Sequence, residues 1–152
     1  MNRLADAVIG GWQLVPIYLY SSGAPLTFGV PGNTLGNGWG TRPNLVGNPN
    51  LSNPTPALWF NPAAFATPAQ YQFGNSGIGI VTGPSSQVAN LSLSKSFHLT
   101  ERGYMQFRWE VFNALNHPNY SAPNTTINQS TTGQILAAGP ARQMQLGLKV
   151  VF

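Results

Sequence analysis

The carboxyl-terminal segment, residues 142–152, alternates between apolar and polar side chains. The apolar positions are Met144, Leu146, Leu148, Val150 and Phe152. Apart from Val151, the positions between them are polar or small, and they read Gln143, Gln145, Gly147 and Lys149. A period of two is typical of a β-strand, because successive side chains leave opposite faces of the backbone. The pattern predicts a strand with one apolar face and one polar face.

Two environments explain such a strand. One is a half-buried strand of a soluble antiparallel sheet, and the other is a strand of a membrane barrel with lipid outside and water inside. The segment ends on an aromatic residue, Phe152, and its polar face carries amides, a glycine and a single lysine. These features favour the barrel, since the surface of a soluble protein is normally rich in charge.

Three further segments resemble strands, at about residues 8–20, 88–97 and 104–112. The first is apolar on both faces, so the pattern does not say which face meets lipid, and Pro16 suits an edge or a bulge. The other two each have one apolar face, formed by Leu91, Leu93 and Phe97 and by Met105, Phe107, Trp109 and Val111. Lys95 falls on the apolar face of the 88–97 strand, where a long side chain can extend to the membrane interface. We predict an all-β antiparallel meander of about four transmembrane-type strands.

The connections between these strands are long, short and long. The long ones span about residues 31–86 and 113–141 and are rich in Gly, Asn and Pro or Thr. A compact soluble domain rarely contains a connection as long as the first. In an outer-membrane barrel the extracellular loops are long and the periplasmic turns are short. A periplasmic carboxyl end would place both long connections outside the cell.

Composition supports a membrane environment and argues against several functions. Charged residues make up 7% of the 152-residue chain, against roughly 25% in an average soluble domain. The net charge of +4 is scattered, so we expect no nucleic-acid partner. Cysteine is absent, and no apolar run is long enough for a transmembrane helix. The amino-terminal residues do not form a convincing export signal, so we expect any such signal to lie upstream.

Several segments resemble the carboxyl-terminal end of TonB-dependent outer-membrane receptors, of the Oar-like kind with a carboxypeptidase-regulatory-like domain. They are GGWQL at 10–14, WFNPAAF at 59–65, FGNS at 73–76, NLSLSK at 90–95, NALNHPNY at 113–120 and PARQMQLGLKVVF at 140–152. The resemblance spans nearly the whole chain, and residues 113–120 and the last strand are its most specific parts. It implies a location in the outer membrane of a Gram-negative-type bacterium.

The resemblance also implies partners and a recognition signal. By position, Leu146, Leu148, Val150 and Phe152 would be read by the barrel assembly machinery. Such receptors close about 22 strands around a plug, whereas this chain supplies about four strands and neither a plug nor an energy-coupling box. We therefore expect a fragment or a truncated reading frame, a partial barrel whose partners are membrane lipid, the assembly machinery and the rest of the receptor.

The sequence offers little chemistry. The acids are Asp6, Glu101 and Glu110, and the two histidines, His98 and His117, have no second ligand at a metal-binding spacing. We expect no enzyme activity, no metal and no cofactor.

The aromatic side chains admit two interpretations. Trp12, Tyr104 and Trp109 could form the aromatic girdle at the membrane interfaces, which we favour over core packing. Trp39, Trp59 and Phe60 in the first long connection could face a ligand, but we favour local packing there.

Two functions remain after these arguments. The first is a contribution of strands and extracellular loops to the uptake of an unidentified substrate by an outer-membrane receptor. The alternative is a secreted all-β binding or adhesion module that uses its aromatic, Pro- and Gly-rich loop.

Overall fold

The computed structural model describes residues 8–32, 34–38, 40–100 and 103–152, and this part of the chain is all-β, as predicted. Its strands are β1 (Trp12–Ser21), β2 (Asn44–Leu45), β3 (Phe65–Ala66), β4 (Ser86–His98), β5 (Tyr104–Phe112) and β6 (Gln143–Val151). A single 3-10 turn covers Pro62–Ala64. Within the described ranges no helix is long and apolar enough to cross a bilayer.

The chain divides into two compact units. The first, here called the sheet unit, comprises Met1–Tyr20, Gln87–Pro118 and Pro140–Phe152. The second, here called the connection unit, comprises Ser21–Ser86 and Asn119–Gly139. The sheet unit thus contains most of the long strands, and the connection unit consists of the two long segments that join them.

The sheet unit is built on a four-stranded sheet in the order β1-β4-β5-β6. The β4–β5 and β5–β6 pairs are antiparallel, with Leu93 opposite Trp109 and Trp109 opposite Leu146. The observed strands overlap the segments predicted at about 8–20, 88–97, 104–112 and 142–152. The largest difference is at the start of β1, where the prediction of a strand from about residue 8 is wrong. Val8 and Ile9 are helical and Gly11 has a φ of +72°, so the strand begins at Trp12.

The turn that follows β5 is organised by one buried side chain, Asn113. Its amide nitrogen donates to the carbonyl oxygens of His117 and Pro140, at 2.9 and 3.1 Å, and its amide oxygen accepts from the His117 N–H at 3.0 Å. The Asn113 N–H donates to Asn90 Oδ1 on β4. Asn113 has a φ of +50°, a left-handed conformation that Asn tolerates better than most residues.

Asn116 continues the same arrangement towards the last strand. It also has a positive φ, and its amide oxygen accepts a hydrogen bond from the Arg142 N–H, one residue before β6. Asn113 and Asn116 therefore tie the end of β5 to the start of β4 and to the approach to β6. These contacts give a physical role to the NALNHPNY segment at 113–120.

The connection unit has a hydrophobic core of its own. Its fully or nearly buried members are Leu26, Phe28, Val30, Phe60, Ala64, Phe65, Val81 and Ile127. The rings of Phe28 and Phe65 stack at 4.2 Å, and Phe60 meets Phe28 edge-on at 4.9 Å. The 26–30 segment therefore packs into this core through every second side chain.

Backbone hydrogen bonds join the two segments of the connection unit. The Ile127 N–H donates to the Gly29 carbonyl at 3.0 Å, and the Trp59 N–H donates to the Gly133 carbonyl at 2.8 Å. The short strands β2 and β3 pair within the first segment, with Leu45 opposite Phe65. The long, Gly- and Pro-rich connections thus form an ordered unit.

We expect Asn113→Ala to destabilise the sheet unit by about 2–3 kcal/mol, because it removes three side-chain hydrogen bonds from a buried site. Asn113→Gly is the matched variant, since it removes the same bonds but accepts the positive φ. Chemical unfolding of both variants in detergent should show alanine as the less stable by up to about 1–2 kcal/mol. Wild-type stability in both variants would show that the Asn113 contacts do not hold the turn.

We expect Phe60→Ala to cost about 3–5 kcal/mol of stability in the connection unit, because it leaves a cavity beneath Phe28 and Phe65. Phe73→Ala is the control, since Phe73 is 80% exposed. It should change stability by no more than about 0.5 kcal/mol. Limited proteolysis followed by mass spectrometry reports cleavage within the connection unit. Equal protection of both variants would contradict the assigned core.

Candidate functional site

The most distinctive surface of the sheet unit is a continuous apolar face. The register sets Leu91, Val111 and Met144 in one row across β4, β5 and β6. The rows that follow contain Leu93, Trp109 and Leu146, then Lys95, Phe107 and Leu148, and then Phe97, Met105 and Val150. Eleven of these twelve side chains are apolar, and Lys95 is the exception. This surface is called the apolar face below.

The opposite side of the same strands is polar, and it is called the polar face below. Its rows pair Ser92 with Glu110 and Gln145, Ser94 with Arg108 and Gly147, and Ser96 with Gln106 and Lys149. Arg108 and Glu110 form an ion pair at 3.7 Å, and the Gln145 amide donates to the other carboxylate oxygen of Glu110. Ser94 on β4 and Gly147 on β6 thus flank the long side chain of Arg108, whereas Gln145 and Lys149 on β6 are long themselves.

Contacts with β4 assign the two faces of β1, which the sequence left open. The Tyr18 hydroxyl donates to Gln87 Oε1, and the Lys95 ammonium lies 4.8 Å from the centre of the Trp12 ring. Gln87 and Lys95 share the apolar face of β4 with Leu91, since they differ from it by even numbers of residues. Trp12, Leu14, Pro16, Tyr18 and Tyr20 therefore extend the apolar face.

The other face of β1 lies beside the polar face. Val15 and Ile17 line a cavity of about 140 Å³ together with Asn90, Ser92, Glu110 and Phe112 of that side, and Leu91 and Val111 also contribute to its lining. These contacts agree with the alternation deduced from Trp12 and Tyr18. The polar face therefore has an apolar margin along β1.

Lys95 is the one charged residue on the apolar face, and it is 4% exposed. The sequence predicted that its side chain extends to an interface. Instead, the ammonium donates to the Val8 carbonyl at 2.8 Å and lies against the rings of Trp12 and Phe97. A carbonyl dipole and two aromatic rings stabilise the charge. The Lys95 side chain therefore binds Val8 and Trp12 at the start of β1 and does not extend to the membrane interface.

The predicted recognition residues are strongly exposed. Leu146 is 72% exposed and Leu148 is 65% exposed, while Val150 and Phe152 are also open. A contiguous apolar surface of this kind is unusual for a soluble monomer and marks contact with membrane or another protein. The exposure supplies the accessibility that a recognition role needs.

From the sequence, Trp39, Trp59 and Phe60 are aromatic residues of the first long connection that could face a ligand. Trp39 lies outside the described residues. Trp59 is half-buried, and its indole N–H donates to the Thr82 carbonyl at 2.9 Å. Phe60 is fully buried in the core of the connection unit, so it has no surface to offer a ligand. For Trp59 and Phe60 the observed contacts are those of local packing.

The proposed aromatic girdle needs one correction. Trp12 and Trp109 lie on the apolar face, but Tyr104 alternates with Met105 and shares the polar face with Arg108. The Lys149 ammonium lies 5.9 Å from the Tyr104 ring on that side. Tyr104 therefore cannot belong to a lipid-facing girdle, because its side chain points to the opposite side of the sheet.

In the described part of the chain, no group of three acidic, His or Cys residues is placed to hold a metal ion.

Comparison with known proteins agrees with this geometry. A family model described as "Outer membrane beta barrel domain" matches residues 1–145. Searches of curated proteins and of solved structures gave no significant match. The matched region contains β1, β4 and β5 and reaches into β6. The chain belongs to the outer membrane beta barrel domain family and is therefore a protein of the bacterial outer membrane.

Proposed function

We propose that the chain is the carboxyl-terminal portion of a TonB-dependent outer-membrane receptor, and that it contributes strands and extracellular loops to the uptake of a substrate. The four-stranded sheet with one apolar face and one polar face supports the barrel part of the proposal, and the resemblance of the 113–120 segment and the last strand supports the receptor part. A transmembrane barrel needs this division, because one side meets lipid and the other lines the interior.

The order of the strands supports the proposed orientation. In an antiparallel sheet, the end of β1, the start of β4, the end of β5 and the start of β6 lie at one end. The long connections start from that end, while the short β4–β5 turn lies at the other. Long extracellular loops and short periplasmic turns are the rule in outer-membrane barrels.

Four strands do not close a barrel, since bacterial barrels have eight or more. In this proposal, further strands of the receptor pair with the edges of the sheet, β1 and β6, and a plug fills the lumen. The other partners are membrane lipid and the barrel assembly machinery, which reads Leu146, Leu148, Val150 and Phe152. Substrates and ions contact the polar face, and the chain performs no reaction on them.

The exposed apolar face disfavours the secreted adhesion module. A module secreted into water would leave Met144, Leu146 and Leu148 more than half exposed to solvent. We expect the chain to remain with membranes after an alkaline wash and to be released by detergent. Recovery as a monomer in aqueous buffer without detergent would favour the secreted module.

Leu148→Arg tests the lipid-facing side of the sheet. We expect it to block membrane assembly, because a charge on the lipid face near the midplane costs about 2–4 kcal/mol. Gln145→Arg is the control, since position 145 lies on the polar face beside Glu110. Protease protection and heat-modifiable migration after assembly measure the difference. Equal assembly of the two variants would mean that the faces are assigned wrongly or that this sheet meets no bilayer.

Energy coupling needs a separate test, because an ordinary porin would share the same sheet. Uptake by the intact receptor of a panel of oligosaccharides, peptides and metal chelates should stop when TonB is deleted from the host. The amount of receptor in the outer membrane should stay the same. Uptake that continues without TonB would indicate passive diffusion, and the receptor proposal would be wrong.

A further inference from the structure

The polar face contains a notch that lies between two cationic side chains. Its volume is about 340 Å³, and it is lined by Gln106, Arg108, Gly147 and Lys149 of the polar face and also by Leu148, whose place in the register is on the apolar face. Gly147 stands directly opposite Arg108 on the neighbouring strand, and Ser94 stands opposite Arg108 on the other side. The notch exists because Gly147 has no side chain at a position where its neighbours Gln145 and Lys149 have long ones.

Both cations line the notch, while in the structure the Arg108 guanidinium is turned to Glu110 and the Lys149 ammonium lies 5.9 Å from the Tyr104 ring. Lys149 is two residues beyond the direct partner of Arg108, a diagonal relation that separates backbone positions by roughly 7–8 Å. Side chains of this length span that distance once Arg108 turns from Glu110 and Lys149 turns from Tyr104 towards the notch. The Gln106 side chain lies opposite Lys149 at the rim of the notch, and its amide nitrogen donates to Ser96 Oγ at 3.5 Å.

The charge balance of this face favours an anion. In the described part of the sheet, the polar face carries Arg108 and Lys149 as cations and Glu110 as its one carboxylate. Glu110 is engaged by Arg108 on one oxygen and by Gln145 on the other. The contact with Arg108 is loose, at 3.7 Å to one guanidinium nitrogen, and the Arg108 side chain is 54% exposed. The guanidinium fork can therefore bind a second oxyanion in two-point geometry.

We propose that this notch binds the carboxylate or phosphate group of a small anionic solute, with Arg108 and Lys149 as the charged contacts and Gly147 as its floor. The proposal deepens the proposed function, because it makes the polar face a selective surface for anions in the barrel interior. Binding itself can be measured without a bilayer, so it fails or succeeds separately from the lipid-facing assignment.

The test uses the full chain in micelles of a neutral detergent, with inorganic phosphate as the probe at constant ionic strength. Binding is followed by the backbone amide shifts of Gly147 and Lys149 in NMR spectra. We expect saturable shifts at these amides in the wild type. Arg108→Gln and Lys149→Gln should each weaken phosphate binding by about fivefold, the upper range for a contact between exposed charges. Arg42→Gln removes an equal charge from the connection unit and should leave binding unchanged.

Gly147→Val separates a shaped site from general attraction by positive charge. Gly147 does not have a positive φ, and a Cβ there would meet the Arg108 Cβ at an ordinary 4.0 Å, so the strand accepts the substitution. The variant keeps both cations and fills the notch. We expect it to lose saturable phosphate binding while it retains the β-sheet circular dichroism of the wild type.

Three results would overturn the proposal. Equal losses in Arg42→Gln and Arg108→Gln would show that phosphate responds only to net charge. Unchanged phosphate binding in a folded Gly147→Val variant would show that the notch is not the site. If short-chain phosphatidylglycerol in the micelles shifts the same amides and excludes phosphate, the notch binds a lipid headgroup and the solute assignment is wrong.

Discussion

The register between β4, β5 and β6 is the constraint on which the rest of the structure depends. Side chains alternate along each strand, so a slip of one residue between two strands would move apolar groups into the polar rows. The observed register instead aligns Leu93 with Trp109 and Leu146, and it aligns Ser94 with Arg108 and Gly147. A surface for hydrocarbon and a surface for water arise from this single alignment. The Asn113 and Asn116 contacts fix the chain at the end where β5 stops and β6 begins.

The scarcity of charge has a structural meaning in this sheet. Serine and glutamine side chains give the polar face hydrogen-bonding groups without net charge, so the few charged side chains on it dominate the local electrostatic field. Arg108 is held by Glu110 on one side and opens onto the Gly147 notch on the other. Lys95 lies on the apolar face, and its charge is stabilised by the Val8 carbonyl and two aromatic rings instead of by a carboxylate.

Local patterns predicted much of the sheet and little of the connection unit. Alternation is a property of neighbouring residues, so it located β4, β5 and β6 and the faces of each. It could not assign β1, where both sides are apolar and only contacts with Gln87 and Lys95 decide. The burial of Phe60 depends on Phe28 and Phe65, and Ile127 joins the same core from the other connection. Such long-range packing leaves no periodic signal, and neither did the hydrogen bonds that Asn113 makes.

Site-directed spin labelling along β6 tests the central claim most directly, because the chain has no cysteine and each label can be placed alone. Labels at successive positions from 143 to 151 would be compared in lipid vesicles for collisions with oxygen, which partitions into lipid, and with a water-soluble nickel complex. We expect labels at positions 144, 146, 148 and 150 to favour collisions with oxygen and labels at 143, 145, 147 and 149 to favour collisions with nickel. The same preference on both sets of positions would contradict a sheet with lipid on one face and water on the other.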